Sequence, residues 1–173
     1  TKSNNLCDPL NFLKSFIKDK TAPAVYSFKS YPQPGEGVFQ HSSDSRIFTF
    51  DKGRFQAWGK VGFGIRANDH MDSVYNNYGV RYTRLYCDGK LVFSSDVNNI
   101  PVSCNRMVNS WGDYDHFLHT KIWFMKSFIE PGNTLPILRA GANRGIINFN
   151  QQRDYHLRYV VSDAFGNQTV KEF

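Results

Sequence analysis

A polar connection over residues 96–121 contains the side chains best suited to binding a ligand. Its candidate ligand-binding residues are two rings and two histidines: Trp111, Tyr114, His116 and His119. Flat rings in a polar loop can stack on sugars or peptides, although the favoured interpretation is that they plug an edge of the fold. The histidines are three residues apart, so on a helix they would share one face and could supply two metal ligands. Their spacing is not that of the H-E-x-x-H motif, and an idle, solvent-exposed pair is favoured.

A glycine pair within residues 62–67 matches the G-x-G-x-x-A form of the dinucleotide-binding fingerprint. That fingerprint must end a strand and open a helix, so that phosphate meets free N–H groups. Here apolar residues alternate through the glycines over residues 61–67, which is the pattern of a continuing strand. The glycines are therefore predicted to make room for a neighbouring backbone or a bulky ring such as Trp58 or Trp123.

An oxygen-rich loop follows this strand and contains Asn68, Asp69, Asp72, Asn76 and Asn77. Carboxylate and amide oxygens at this density are typical of calcium loops, but the EF-hand pattern is missing. Because Asn and Asp also favour turns through local hydrogen bonds, a structural loop is the favoured interpretation. No metal-binding residue is predicted.

The cysteines and the nucleophile motifs nominate no catalytic residue. Cys7, Cys87 and Cys104 are odd in number and fit no zinc spacing or nucleophile context. Small free buried thiols are favoured, and a bridge between Cys87 and Cys104 stays open. The G-x-S-x-G elbow is also missing from the sequence.

The charge distribution and the length of the apolar runs argue against a nucleic-acid partner and against a membrane-spanning helix. Lys+Arg number 21 against Asp+Glu 15, for a formal net charge of +6, but the basic residues are scattered along the 173 residues. A nucleic-acid-binding protein concentrates such charge on one face, so no nucleic acid is expected. No stretch approaches the roughly 18 apolar residues that a membrane-spanning helix requires.

The chain begins with a helical pattern. Residues 8–18 place Leu10, Leu13 and Ile17 on one stripe, with Asp8 as the N-cap. Residues 1–22 are accordingly predicted to be a short helix and linker. Because its apolar stripe needs a surface to cover, the helix is interpreted as the tail of an upstream domain.

From residue 23 to 173 the pattern changes to a period of two, with aromatic and β-branched residues in the runs and turn residues between them. An Asp88-Gly89 pair is typical of a type I′ hairpin turn. The sequence predicts an all-β fold: an immunoglobulin- or fibronectin-like antiparallel β-sandwich with one short N-terminal helix. The predicted strands cover residues 24–30, 46–50, 55–67, 80–87, 91–94, 122–128, 145–150, 155–162 and 168–173.

Several stretches together resemble a known family. They are residues 58–69, 78–80, 85–89, 125–133, 155–159 and 163–167. These stretches are similar to the region that follows the catalytic domain in cell-envelope metallopeptidases of the lysostaphin (LytM) type from Bacteroidetes. Residues 8–13 are similar to the helix that closes such catalytic domains.

The resemblance implies a non-catalytic, immunoglobulin-like accessory domain. The family holds zinc with an H-x-x-x-D and an H-x-H motif, and the five histidines of this sequence satisfy neither: His41, His70, His116, His119 and His156. No zinc ligand can be assigned here, and zinc is expected only in an upstream domain. The implied location is the cell envelope, periplasmic or secreted.

The resemblance also implies the partners. They are the upstream catalytic domain of the same polypeptide, together with peptidoglycan or other envelope proteins, and the domain would position the catalytic domain or engage cell wall. An alternative is a stand-alone carbohydrate- or protein-binding adhesion module that uses residues 96–121. A hydrolase with an unrecognised site is a third hypothesis.

Overall fold

The computed structural model describes residues 5–72 and 74–173. Over these ranges the chain forms thirteen short or long strands and three short helices. The strands are β1 (Asn5–Leu6), β2 (Ala24–Phe39), β3 (Arg46–Phe48), β4 (Ala57–His70), β5 (Asn77–Tyr78), β6 (Tyr82–Cys87), β7 (Lys90–Asp96), β8 (Ile100–Pro101), β9 (Met125–Lys126), β10 (Leu138–Ala140), β11 (Ile147–Phe149), β12 (Leu157–Ser162) and β13 (Gln168–Glu172). The helices are α1 (Leu10–Leu13), α2 (Val108–Trp111) and α3 (Tyr114–Thr120), and 3₁₀ turns cover Val102–Met107 and Ala142–Gly145.

Two antiparallel sheets carry the fold. One has the strand order β10-β7-β6-β12-β13, and the other has the order β11-β4-β2-β3, with β5 and β9 also paired to β4. A small third sheet pairs β1 with β8. The predicted all-β, antiparallel, sandwich-like architecture is therefore confirmed. Across the described ranges, every helix falls short of the length and apolar character that crossing a bilayer requires.

The core lies between the two large sheets and is rich in aromatic rings. Phe28 and Phe63 from one sheet and Leu85 and Tyr159 from the other are fully buried members of one cluster. Each large ring removes about 150–250 Å² of surface from water, so these side chains dominate the energetics of packing. The alternation seen in the sequence directs them inward from both sheets.

The outer face of the β2–β4 sheet is covered as well. Gly62 and Gly64 of β4 lie on this face, where a Cβ on Gly62 would come within 2.7 Å of the Phe128 ring and one on Gly64 within 3.0 Å of the Tyr31 ring. The predicted close approach of a bulky ring is confirmed, but the predicted rings are wrong. Trp58 is exposed, and Trp123 lies against Gly112.

The tight turns follow the predicted chemistry at one hairpin. Asp88 and Gly89 connect β6 to β7 with φ of 50° and 76°, so both central residues are left-handed, as a type I′ turn requires.

One predicted strand is much shorter in the structure. Residues 122–128 contribute only the two-residue β9. The carbonyl of Phe63 in β4 accepts from the N–H of Ser127 at 2.6 Å, so this segment follows the sheet without continuous pairing.

The N-terminal segment meets the sandwich through polar contacts. The predicted helix over 8–18 is reduced to α1, and its rings Phe12 and Phe16 are exposed. The Asp8 carboxylate accepts from the N–H of Leu10 at 2.9 Å and pairs with the buried Arg81 guanidinium at 2.8 Å. That this segment is the tail of an upstream domain stays a prediction.

Candidate functional site

A cavity of about 730 Å³ opens at one end of the sandwich, where β2 ends and β4 and β12 begin. Its inner wall is aromatic and comes from both sheets: Phe39, Phe55, Phe63, Phe149, Tyr155 and Phe173. Its rim is polar: Gln40, His41, Arg54, Gln56, Asp88, Arg153, Asp154 and His156. Ligand pockets combine these two features, a mostly apolar interior and a few polar groups that orient the ligand.

The aromatic wall is a direct extension of the core. Phe39 and Phe63 are buried, and their rings pack edge to face with centroids 5.5 Å apart. Phe149 packs in the same manner on Phe63 at 6.2 Å and on Tyr155 at 4.9 Å. Because these rings are fixed by neighbours in both sheets, the wall is formed before any ligand binds.

A strained turn shapes one side of the mouth. Gln40 and His41 follow β2 with φ of 49° and 59°, in the left-handed region that non-glycine residues seldom adopt. The turn is held by backbone bonds from the Gln40 N–H to the Gln56 carbonyl at 2.8 Å and from the Phe39 N–H to the Ser42 carbonyl at 2.9 Å. This conformation sets Gln40 and His41 at the rim of the cavity.

Arg153 is the fixed cation of the rim. Its guanidinium donates to Asp88 Oδ2 at 2.8 Å and to the Asp154 carbonyl at 2.9 Å, and it lies 3.7 Å from the centroid of the Tyr155 ring. The hydrogen bond from Arg153, together with one from the His156 N–H, holds the pKa of Asp88 below its ordinary value. The charge of Arg153 is thus already matched inside the protein.

Arg54 is the available cation of the rim. Its side chain is 89% exposed, and its ion pair with Asp154 is long, at 3.9 Å, and equally exposed. Such a pair contributes about 0–1 kcal/mol, so little is lost when the guanidinium turns to another anion. The cavity therefore offers a ligand an aromatic wall and one guanidinium that is free to form a new contact.

The predicted ligand-binding residues lie elsewhere, on the outer face of the β2–β4 sheet. Trp111 is only 5% exposed, and its Nε1–H donates to the Lys126 carbonyl at 3.1 Å. Its indole is therefore part of the packed interior. Tyr114 and His119 are exposed, and His119 Nδ1 lies 2.8 Å from the Asp115 carbonyl.

His116 is separated from His119 by its surroundings. Its ring packs edge to face on Phe124 at 5.4 Å, and its Nε2 is buried without a hydrogen-bond partner. Burial, followed by the nearby Lys29 ammonium, lowers the pKa of His116. The two histidines therefore have different environments, one against a core ring and one in solvent.

A buried ion pair beside His116 escaped the sequence analysis. Asp113 Oδ2 accepts from Lys29 Nζ at 2.6 Å and from Tyr31 Oη at 2.9 Å. Lys29 occupies a position in β2 that alternation would direct to solvent, so only the covering of that face by the 111–128 segment explains its burial. Burial and the Asp113 carboxylate raise the pKa of Tyr31, which therefore keeps its proton and donates a hydrogen bond to the carboxylate.

The three cysteines are free in the structure. Cys7 is exposed, whereas Cys87 and Cys104 are partly buried. Burial, followed by the charge of Asp88, raises the pKa of Cys87 to about 11, so this thiol stays protonated near neutral pH. This is the behaviour of a structural cysteine rather than of a nucleophile.

Three carboxylates from distant parts of the sequence meet at the end of the sandwich opposite the cavity. They belong to Asp19, which precedes β2, Asp69, near the end of β4, and Asp163, directly after β12. Within the described residues they are the group of three or more potential metal ligands that the fold assembles. Asp69 belongs to the oxygen-rich loop of the sequence analysis, whereas Asp19 and Asp163 were not anticipated.

Comparisons with protein-family models, with curated proteins and with solved structures give no match for this chain. The class that the fold and the site define is therefore an antiparallel, sandwich-like β protein with an aromatic cavity at one end.

Proposed function

We propose that this chain is a non-catalytic binding module whose ligand site is the cavity at the β4 and β12 starts. The observation that supports this most is an aromatic-walled cavity of about 730 Å³ with an exposed, weakly paired arginine at its mouth. This volume lies in the range of about 300–1,000 Å³ that small-molecule sites occupy.

The ligand that suits this cavity is flat and apolar in its body and anionic at one end. The rings of Phe55, Tyr155 and Phe173 line the cavity and are only partly buried, so they offer faces and edges to a planar body. The guanidinium of Arg54 can donate two parallel hydrogen bonds to a carboxylate, sulfonate or phosphate. Arg153 is already bonded to Asp88 and serves to hold Tyr155 in place.

Anilinonaphthalene sulfonate has this chemistry, and its fluorescence rises on entering an apolar site. We expect one saturable binding event for the native chain. In Ala57→Trp an indole would occupy part of the cavity that Ala57 lines, so affinity is expected to fall by about tenfold or more. In Arg54→Ala the loss of one exposed charge contact is expected to weaken binding by about two- to fivefold.

A matched control is Arg106→Ala, which removes one exposed arginine far from the cavity lining. Its dye affinity should equal that of the native chain. Circular dichroism of each variant verifies that the fold is kept. Equal dye affinity in Ala57→Trp and the native chain would refute the cavity as the ligand site.

We further propose that the sandwich is immunoglobulin-like. The order β2-β4-β11 in one sheet corresponds to strands A-B-E, and the order β13-β12-β6-β7 in the other corresponds to G-F-C-C′. The corner between β11 and β12 adds support, because Tyr155 Oη accepts from the backbone N–H of Gln151 at 3.2 Å. A tyrosine bonded to the backbone just upstream is a hallmark of this corner in immunoglobulin-like domains.

The resemblance to regions that follow LytM-type peptidase domains extends this proposal to an accessory role in the cell envelope, with the alternative of a stand-alone adhesion module. A soluble muramyl peptide, which carries a sugar, a peptide and a carboxylate, tests this role, and its carboxylate is the group that suits Arg54. If the module engages cell wall, this peptide should displace the dye, and neutral N-acetylglucosamine should do so less well. Absence of displacement at millimolar muramyl peptide would contradict the envelope role but not the cavity itself.

A further inference from the structure

The carboxylates of Asp19, Asp69 and Asp163 form a second, independent site at the opposite end of the sandwich. One oxygen from each residue lies within 4.8 Å of the others. The three residues are 7%, 5% and 1% exposed, so water screens their charges poorly. Three buried carboxylates at this separation repel one another strongly unless a proton or a cation lies between them.

The existing hydrogen bonds leave one fully buried oxygen of these carboxylates without a partner. Asp163 is satisfied, because its Oδ1 accepts from the N–H groups of Phe165, Gly166 and Asn167 at 2.8, 2.7 and 2.9 Å. Asp19 Oδ1 accepts from two N–H groups, but its Oδ2 is buried and has no hydrogen-bond partner. A buried carboxylate oxygen of this kind is a costly defect unless another group binds it.

Within the described ranges, no lysine, arginine or histidine forms an ion pair with any of the three carboxylates. The arrangement therefore lacks the protein cation that buried acids ordinarily have.

We propose that Asp19, Asp69 and Asp163 bind a calcium ion. The oxygens are carboxylate oxygens, which hard cations prefer over the nitrogen and sulfur ligands that zinc takes. Asp19 and Asp163 lie on irregular backbone, before β2 and after β12, and Asp69 is the last residue but one of β4. Calcium accepts the irregular geometry of such a set and completes its shell with water. Magnesium requires a near-ideal octahedron and fits such a set less well.

Calcium at this position would hold the segment before β2 against the sandwich. That segment already makes polar contacts here: the Asn167 amide donates to the Asp19 carbonyl at 3.1 Å, and Thr21 Oγ1 donates to Asp72 Oδ1 at 2.6 Å. Thr169 Oγ1 in β13 donates to the Pro23 carbonyl at 2.6 Å. The ion would cross-link three stretches that are distant in sequence.

The test is thermal unfolding of the chelator-treated chain with and without calcium chloride. At a calcium concentration about 100 times the dissociation constant, we expect Tm to rise by about 5–10 °C. Magnesium chloride at the same concentration should give a smaller rise. An equal rise with both ions would overturn the calcium assignment.

The key variant is Asp69→Asn, which keeps the shape of the side chain and removes one charge. The Asp69 carboxylate accepts a hydrogen bond only from the neighbouring His70 N–H, at 3.0 Å, so the Asp69→Asn variant should keep the fold. Without calcium its Tm should equal or exceed that of the native chain, because repulsion is relieved, and calcium should no longer raise it. The exposed Asp44→Asn is the matched control and should keep the full response. An unchanged native Tm in millimolar calcium, or an equal rise in Asp69→Asn, would overturn the proposal.

Discussion

Replacing Asp113 by alanine is expected to lower the free energy of unfolding by about 3–5 kcal/mol, because it leaves a buried ammonium without its anion. Lys29 and Asp113 are both nearly buried, with side chains 11% and 12% exposed, and their atoms lie 2.6 Å apart. Tyr31 Oη would lose its acceptor in the same variant. Urea unfolding followed by intrinsic fluorescence measures the change.

The double variant Lys29→Met/Asp113→Leu distinguishes the cost of an unpaired buried charge from the loss of side-chain packing. Replacing both charges by apolar groups removes the unpaired ion, so we expect most of the lost stability to return. The exposed pair of Arg54 and Asp154 supplies the matched control, and Asp154→Ala should change stability by at most about 1 kcal/mol. A loss in Asp113→Ala no larger than that of Asp154→Ala would contradict the prediction.

The same ion pair predicts a pH dependence. Burial opposes ionisation of Asp113, but hydrogen bonds from Lys29 and Tyr31 outweigh it, so the pKa of this carboxyl lies below its ordinary value of 3.8. A carboxyl whose pKa is lowered by folding stabilises the folded state above pH 3.8. This stabilisation is lost as the pH falls through the pKa of the carboxyl in the folded state. The native chain should therefore lose more stability on acidification than the Lys29→Met/Asp113→Leu variant.

The sheet pattern was accessible from the sequence because it depends on neighbours along the chain. Alternation over residues 61–67 and the Asp88-Gly89 turn are local signals, and the structure places both as predicted. The predicted helix over 8–18 is reduced to Leu10–Leu13, and no residue of α1 is buried, so its stripe gains little from packing. Periodicity indicates which side chains share a face, but it does not say whether anything covers that face.

The sites were largely inaccessible from the sequence because each depends on distant segments. The cavity wall joins Phe39, Phe149 and Phe173, which only the meeting of both sheets brings together. Asp19 and Asp163 are 144 residues apart and belong to no common motif. Asp69 was noticed, but local turn chemistry explained it equally well until the other two carboxylates were located.

Phe28→Ala is expected to lower the free energy of unfolding by about 3–5 kcal/mol, in the range of large-to-small changes at fully buried aromatic positions. Phe28 is 0% exposed and packs on rings from β2, β3 and β4, from the β3–β4 connection and from the C-terminal end of the chain. Its nearest ring is that of Phe173, stacked at 4.3 Å, and that of Phe55 lies at 5.1 Å, edge to face. Thermal and urea unfolding measure the loss.

The control for Phe28→Ala is Phe12→Ala, since Phe12 is 74% exposed and should contribute at most about 0.5 kcal/mol. Equal losses in the two variants would refute the importance of the ring cluster. Phe55 and Phe173 also line the cavity. In Phe28→Ala these two rings lose the side chain on which they pack, and the aromatic wall should become disordered. Phe28→Ala should therefore weaken anilinonaphthalene sulfonate binding even where the variant remains folded, because the core ring and the ligand site share the same neighbours.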